Sequence, residues 1–406
     1  MKELTLLDGV TPLDLTTTVR DISVTERGSF RSCRRAWYLE TIENLERKGI
    51  KNWNLDFGTG VHAGLESFYK AFADIIPDTE PLVACQVGFE EWYQETDAEL
   101  KKLGALGDVF RDELIEYRDL GVSMLDLYNA FAIEEDKYFQ PLWIEGIPSP
   151  HVPDFVDELN PPYDEIAHPS RHESGRILVP IVDPDTKEVM VNEKGEIAYL
   201  TARLDVILFR KEMGLRGFWI MDHKTTASAP SDRGIDFEDQ ITGYCYVFWR
   251  LTGIIPRGVI FNYLVKQLPK APRIVNEGRK LSTAKDQLTL PEWYKEAMEE
   301  YNVTDSPAHQ ECLRAITAHG WDRFFVRFEV QRNEHELIRF EERLIEEYSD
   351  MLDAYEDPAR RAYPNQSTRH CPNCQVNRIC QAIEDGSDYQ YVIATGYQQA
   401  KDRKAK

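Results

Sequence analysis

Thr201-Ala202-Arg203-Leu204-Asp205-Val206-Ile207-Leu208-Phe209 and, after a turn holding Gly214 and Gly217, Phe218-Trp219-Ile220-Met221-Asp222-His223-Lys224-Thr225-Thr226 decide how this chain folds. Both stretches are almost continuously apolar, as strands covered on two faces are. The short glycine-bearing turn predicts a hairpin, which brings Asp205 near Asp222. A carboxylate in such a strand is costly unless it is paired or bound to a metal. Asp222 and Lys224 lie two residues apart and so project from one face. An acid that holds a divalent ion beside an ammonium that steadies water or phosphate is what phosphodiester cleavage needs. The plainer alternatives are an Asp205–Arg203 pair at a strand end and a surface Asp222–Lys224 pair. One D-x-K is a weak signal; two carboxylates on neighbouring strands with a lysine beside them are more specific.

Working outward, helices are expected near 21–45, 83–103, 108–132, 237–253 and 334–355, the last ended by Pro358. Further strands are expected at Glu134–Leu142, 176–192, 257–267 and 323–331, with Asn192-Glu193-Lys194-Gly195 as a turn. Strands mixed with helices imply an α/β core, a mixed central sheet flanked by helices rather than a regular βαβ array. Residues 146–175, rich in Pro, Asp and His, predict an irregular insertion, and 275–320 a helical one. Residues 1–20 are expected to be an extended leader, 21–394 the main domain, and 395–406 a basic tail. No G-x-x-x-x-G-K-[ST] loop is present, so the chain carries no ATP-driven motor motif.

The 406 residues carry 48 basic and 70 acidic side chains, a net charge of −22. Any polyanion must therefore be held in a local cleft, with Arg34, Arg35, Lys266 and Lys270 as candidate rim bases. Tyr244 and Trp249 are candidates for stacking on bases. No apolar run is long enough to span a membrane and no signal peptide is recognisable, which predicts a cytoplasmic location. Seven cysteines, three of them in Cys371-Pro-Asn-Cys374-Gln-Val-Asn-Arg-Ile-Cys380, favour metal ligation over disulfides. Cys33 is the remote fourth thiol; Cys85, Cys245 and Cys312 read as buried. Four thiolates suit a [4Fe–4S] cluster, or zinc as the second reading, joining the two ends of the chain.

Four other residues are candidates, each with a plain structural alternative. His62 follows Gly58-Thr59-Gly60, read as a turn entering a helix, and a lone His there is more often a cap or core residue. Gln240 and Tyr244 share a helix face, where simple packing is the alternative. Glu135 is expected to open the Glu134–Leu142 strand, with an exposed acid beside Glu134 and Asp136 as the alternative.

Taken together, these motifs resemble the RecB-like branch of the PD-(D/E)XK nucleases, in particular its iron–sulfur members: CRISPR-associated, AddB-type and phage exonucleases. The resemblance runs from about residue 21 to 390. It rests on Cys33 with Trp37 and Tyr38, Phe57-Gly58 through His62, Glu135 through Leu142, Ala202-Arg203-Leu204-Asp205 (with Ala where Gly is usual), Asp222-His223-Lys224, Gln240 to Tyr244, and the three late cysteines. It implies Mn²⁺ or Mg²⁺ held by His62, Asp205, Asp222 and the His223 backbone carbonyl. Lys224 would be catalytic with Asp222 and Asp205, Glu135 would act on the metal or its water, and Gln240 and Tyr244 would position DNA. The expected activity is exonucleolytic cleavage of single-stranded DNA or DNA ends in recombination, repair or phage DNA processing, with a recombination or CRISPR partner protein. A DNA-binding subunit of a larger complex and a restriction-like endonuclease are the alternatives.

Overall fold

The computed structural model describes residues 12–15, 20–49, 52–150, 172–173, 176–192 and 194–400. Its centre is a six-stranded sheet of β1 (Phe139–Ile144), β2 (Ile147–Pro148), β3 (Val206–Arg210), β4 (Gly217–Thr226), β5 (Gly258–Val265) and β6 (Phe325–Val330), in the order β6-β5-β4-β3-β1-β2. β4 and β5 run parallel and every other pair is antiparallel, so the mixed sheet is as expected. A parallel pair needs a crossover, here a helix, Asp239–Thr252.

Six helices cover the sheet: α1 (Val24–Ser32), α2 (Trp53–Phe72), α3 (Pro81–Lys102), α4 (Ala105–Glu135), α5 (Asp239–Thr252) and α6 (Glu334–Glu356). The period-two alternation of β4 explains why it reads as apolar throughout. Trp219 and Met221 enter a core with α2, α3 and α4, while Phe218 and Ile220 enter another with α1, α5 and α6. Burying such a side chain contributes about 1.5–3 kcal/mol, so two covered faces anchor the one strand that carries Asp222 and Lys224.

Several expectations need correction. The Gly58-Thr59-Gly60 segment is not a turn but lies inside α2, which begins at Trp53. Gly60 is there for close packing: a Cβ on it would stand 2.4 Å from the Trp92 ring of α3. Glu135 does not open a strand. It ends the 31-residue α4, whose last turn is closed by Asp136 N–H donating to Ala132 O, and the strand starts only at Phe139. Residues 12–15 of the expected leader form a strand parallel to Val189–Asn192, and Tyr397–Gln399 of the expected tail pair with Leu45–Arg47. Residues 1–11, 16–19 and 401–406 lie outside the described residues, as do 151–171 and 174–175 of the 146–175 insertion. Residues 275–320 hold the helices Pro291–Glu300 and Pro307–His319, which share a small core around Tyr294 and Cys312. No helix among the described residues is long and apolar enough to cross a membrane.

Gly60→Ala is expected to cost about 1–3 kcal/mol by overpacking the α2–α3 contact. A urea midpoint equal to that of the wild type would show that Trp92 gives way freely.

Candidate active site

β3 and β4 form the expected hairpin, with Val206 opposite Met221, which puts Asp205 and Asp222 at the same end. Asp205 Oδ2 accepts the main-chain N–H of His223 at 2.7 Å and lies 3.4 Å from His62 Nδ1. His62 is held there because Phe57, Val61, Leu65 and Phe68 of α2 are buried against the sheet.

A third side chain able to ligate a cation joins them, one that was not among the sequence candidates. Glu145, with Gly146, makes the two-residue loop between β1 and β2, and both have positive φ (49° and 79°). That pattern belongs to a type I′ hairpin turn, which favours Asn-Gly and strains a Glu. Glu145 N–H donates to Asp205 O at 3.0 Å. Ligand atoms of His62, Glu145 and Asp205 all lie within 4.8 Å of one another, and no other such group of His, Cys, Asp and Glu occurs among the described residues. Ile144-Glu145-Gly146-Ile147 carries a hairpin signal that could have found it. Glu135, by contrast, is exposed on a helix end.

Asp222 stands outside that set, turned toward Lys224, whose Nζ is 2.8 Å from Asp222 Oδ2. Lys224 Nζ is 3.5 Å from Gln240 Oε1, and Gln240 Nε2 donates to the Tyr244 hydroxyl. Strand alternation therefore points Asp222 and Lys224 at α5, while His223 between them faces α2. Tyr244 is 6 % exposed, too buried to stack on a base, and Trp249 packs against the core.

A model of the PD-(D/E)XK nuclease superfamily matches residues 21–381, most of the chain and all of these side chains. The chain belongs to that superfamily. A search of curated proteins returned no match. PD-(D/E)XK members are phosphodiester-cleaving nucleases that typically use Mg²⁺ or Mn²⁺.

The electrostatics of this PD-(D/E)XK site fit a divalent cation. Burial first, then Asp205 and Glu66, push the Glu145 carboxyl up to about 8 against the opposing charges of Arg203 and Lys70. Arg203 Nε is 3.2 Å from Glu145, so the arginine pairs with Glu145. Burial raises Asp222 to about 6, Lys224 opposing and Asp205 reinforcing the shift. Burial alone would lower Lys224, but Asp222 beside it outweighs that and leaves it above its usual value. Burial pushes His223 down to about 3, so its ring is neutral. Acids held this far from their ordinary range lack positive charge, and one imidazole with carboxylate oxygens suits Mn²⁺ or Mg²⁺.

The thiol-bearing segments also meet. Leu39, Leu45, Val376, Ile379 and Tyr397 form a small core that joins the early and late parts of the chain. Burial raises the Cys374 thiol, and the nearby Cys33 and Cys380 thiols add to it. Backbone N–H groups of Asn365 and Ser367 donate to Cys33 Sγ (3.4 Å) and Cys371 Sγ (3.3 Å), and Arg35 Nη1 lies 3.9 Å from Cys380 Sγ. Arg35 and Arg34 thus serve this region, paired with Glu384 and Asp350, rather than a cleft rim. Lys266 pairs with Asn54, and the Lys270 main-chain N–H donates to Leu288 O. Cys85, Cys245 and Cys312 are buried, as expected.

A carboxyl whose folded-state pKa is raised lends stability below its unfolded value near 4.5 and loses it as pH rises through about 8. Metal-free protein is therefore expected to lose stability from pH 5 to 8, and Mn²⁺ to raise Tm more at pH 8 than at pH 6. Glu145→Asn suits the left-handed turn and removes a buried carboxyl whose ionisation costs stability as pH rises toward 8, so it should raise the metal-free Tm at pH 8, by roughly 1 kcal/mol or more in stability. It should also abolish most of the Mn²⁺-induced rise. A variant that loses metal-free stability yet keeps the Mn²⁺ response would contradict this assignment of Glu145.

Proposed function

We propose that the protein is a metal-dependent DNA exonuclease that acts on single strands or DNA ends and carries a [4Fe–4S] clasp. The observation that carries this reading is the Lys224 ammonium, 2.8 Å from Asp222 and adjoining the His62–Glu145–Asp205 set. His62, Glu145 and Asp205 would hold the divalent ion, with Asp222 and the His223 carbonyl beside them. Bound there, the ion would lower the pKa of a water and offset charge on the scissile phosphate. Lys224, kept protonated by Asp222, supplies fixed positive charge to a phosphate oxygen as charge develops. Gln240 steadies the ammonium and Tyr244 steadies Gln240. With a net charge of −22, attraction for DNA is confined to this metal-focused region, which favours a narrow single strand over a broad duplex.

The donor set supports a cluster over zinc. One Cys-x-x-Cys, a third cysteine six residues on and a remote fourth differ from the two paired knuckles usual for structural zinc. N–H donors aimed at the sulfurs are a means by which proteins tune iron–sulfur centres.

Digestion of end-labelled linear and of circular single-stranded DNA with Mn²⁺ tests the activity. Linear DNA should be shortened from its ends, circles should persist, and Lys224→Ala should lose about 100-fold or more in rate. Cleavage of circles would instead mean an endonuclease, and binding without cleavage a DNA-holding subunit. Cys33→Ser purified without oxygen should lose iron and its visible absorption band together with much stability. Unchanged iron content would assign the fourth ligand elsewhere.

A further inference from the structure

Behind β4, on the side away from Lys224, lies a set of polar side chains that metal binding does not call for. Asp136, Asn262, Tyr69 and Tyr128 are fully buried, and His223 is 2 % exposed. Arg327 of β6 donates from Nη1 to Asp136 Oδ1, from Nη2 to the Tyr128 hydroxyl (3.1 Å) and from Nε to Asn262 Oδ1 (3.0 Å). Tyr69 donates to Asp136 Oδ2 at 2.7 Å, and its hydroxyl is 2.7 Å from that of Tyr128. The set ends on His223, whose Nδ1 is 2.9 Å from Asn262 Nδ2 and whose ring is stacked on Tyr69 at 5.4 Å.

These contacts decide an atom assignment. Arginine can only donate, so the Asn262 atom facing Arg327 Nε is the carbonyl oxygen. Asn262 Nδ2 therefore faces His223 and donates to Nδ1, which must be bare. The one proton of the neutral ring sits on Nε2. Two of the elements so tied carry the site. Tyr69 follows His62 by seven residues, two turns along the same face of α2. His223 separates Asp222 from Lys224, and its own N–H holds Asp205 Oδ2.

We propose that Asn262 is a positioning residue for the metal site: by donating to His223 Nδ1 it fixes the main chain between Asp222 and Lys224 and the N–H that aims Asp205 at His62. The proposal rests on the metal-dependent reading above. Outer groups of this kind set the direction of ligands they never replace, and their loss weakens metal binding by about 10–100-fold.

Histidine-selective ¹⁵N NMR of the metal-free protein should show His223 protonated on Nε2; an Nδ1–H ring in the wild type overturns the proposal. Asn262→Asp is isosteric, keeps the Arg327 contact and replaces the donor with an acceptor. The His223 proton should move to Nδ1, Mn²⁺ affinity by calorimetry should fall about tenfold, and kcat should fall with KM for DNA nearly unchanged. A merely structural Asn262 would lower Tm and leave these readouts alone. If Asn262→Asp does not fold, Asn262→Leu, which removes the donor to His223 Nδ1 together with the amide's bond to the Tyr128 hydroxyl, should give the same losses in Mn²⁺ affinity and kcat; a folded Asn262→Leu protein without them overturns the proposal. Wild-type protein that binds no Mn²⁺ would bring down the metal reading and this inference together. Wild-type binding with an indifferent Asn262→Asp brings down the inference alone.

Discussion

Carboxylates taken out of water must be compensated, and the centre of this molecule is arranged around four of them. Each has a different answer. Asp136 meets Arg327, Asp222 meets Lys224, Glu145 meets Arg203, and Asp205 takes the His223 N–H. The first pair is closed and inaccessible, the kind whose rupture costs about 3–5 kcal/mol. The other three face the concave end of the β3–β4 hairpin, where compensation is incomplete. Raised carboxyl pKa values at Glu145 and Asp222 are the visible sign of that deficit. The fold thus separates acids that hold it together from acids that it holds in readiness for a cation.

What could be read from the sequence follows from how local each signal was. The β3–β4 hairpin was plain because two apolar runs flank a glycine-bearing turn, and Asp205 and Asp222 were conspicuous as the only acids inside them. Gln240 and Tyr244 followed from helical spacing. Other features depend on neighbours distant in the chain. The glycines of α2 look like a turn in one dimension, but serve a helix crossing that exists only once Trp92 arrives from α3. Glu135 looked like the start of a strand because apolar residues follow it, yet α4 carries through to it and the strand begins four residues later. Glu145 was missed because Gly146 reads as the start of an irregular insertion, although Glu145-Gly146 between isoleucines is a hairpin signal, weakened by a Glu at positive φ. Such conflicts between local preference and fold are expected where function imposes on structure.

Membership of the PD-(D/E)XK superfamily explains the sheet and the cluster of acids, but not how this chain closes. Between residues 33 and 380 the path runs through both cores and the 275–320 segment before returning to Leu39 and Leu45. The central sheet is itself assembled from segments far apart in sequence, with β1 and β6 at residues 139 and 325. Long-range pairing of this kind slows folding, because loop closure must precede the contacts that reward it.

That closure has a consequence for the chain while it is being made. Cys33 emerges early, and Cys380 follows 380 − 33 = 347 residues later. At synthesis rates of about 5–20 residues per second, the first thiol waits roughly 17–70 s for its companions. Through that interval neither the small core around Leu45 and Val376 nor the Tyr397–Gln399 strand exists to cover it. The Cys33 thiol of the nascent segment is then without that cover. The small core that joins the two regions can therefore form only after the segment bearing Val376, Ile379 and Tyr397 has been made.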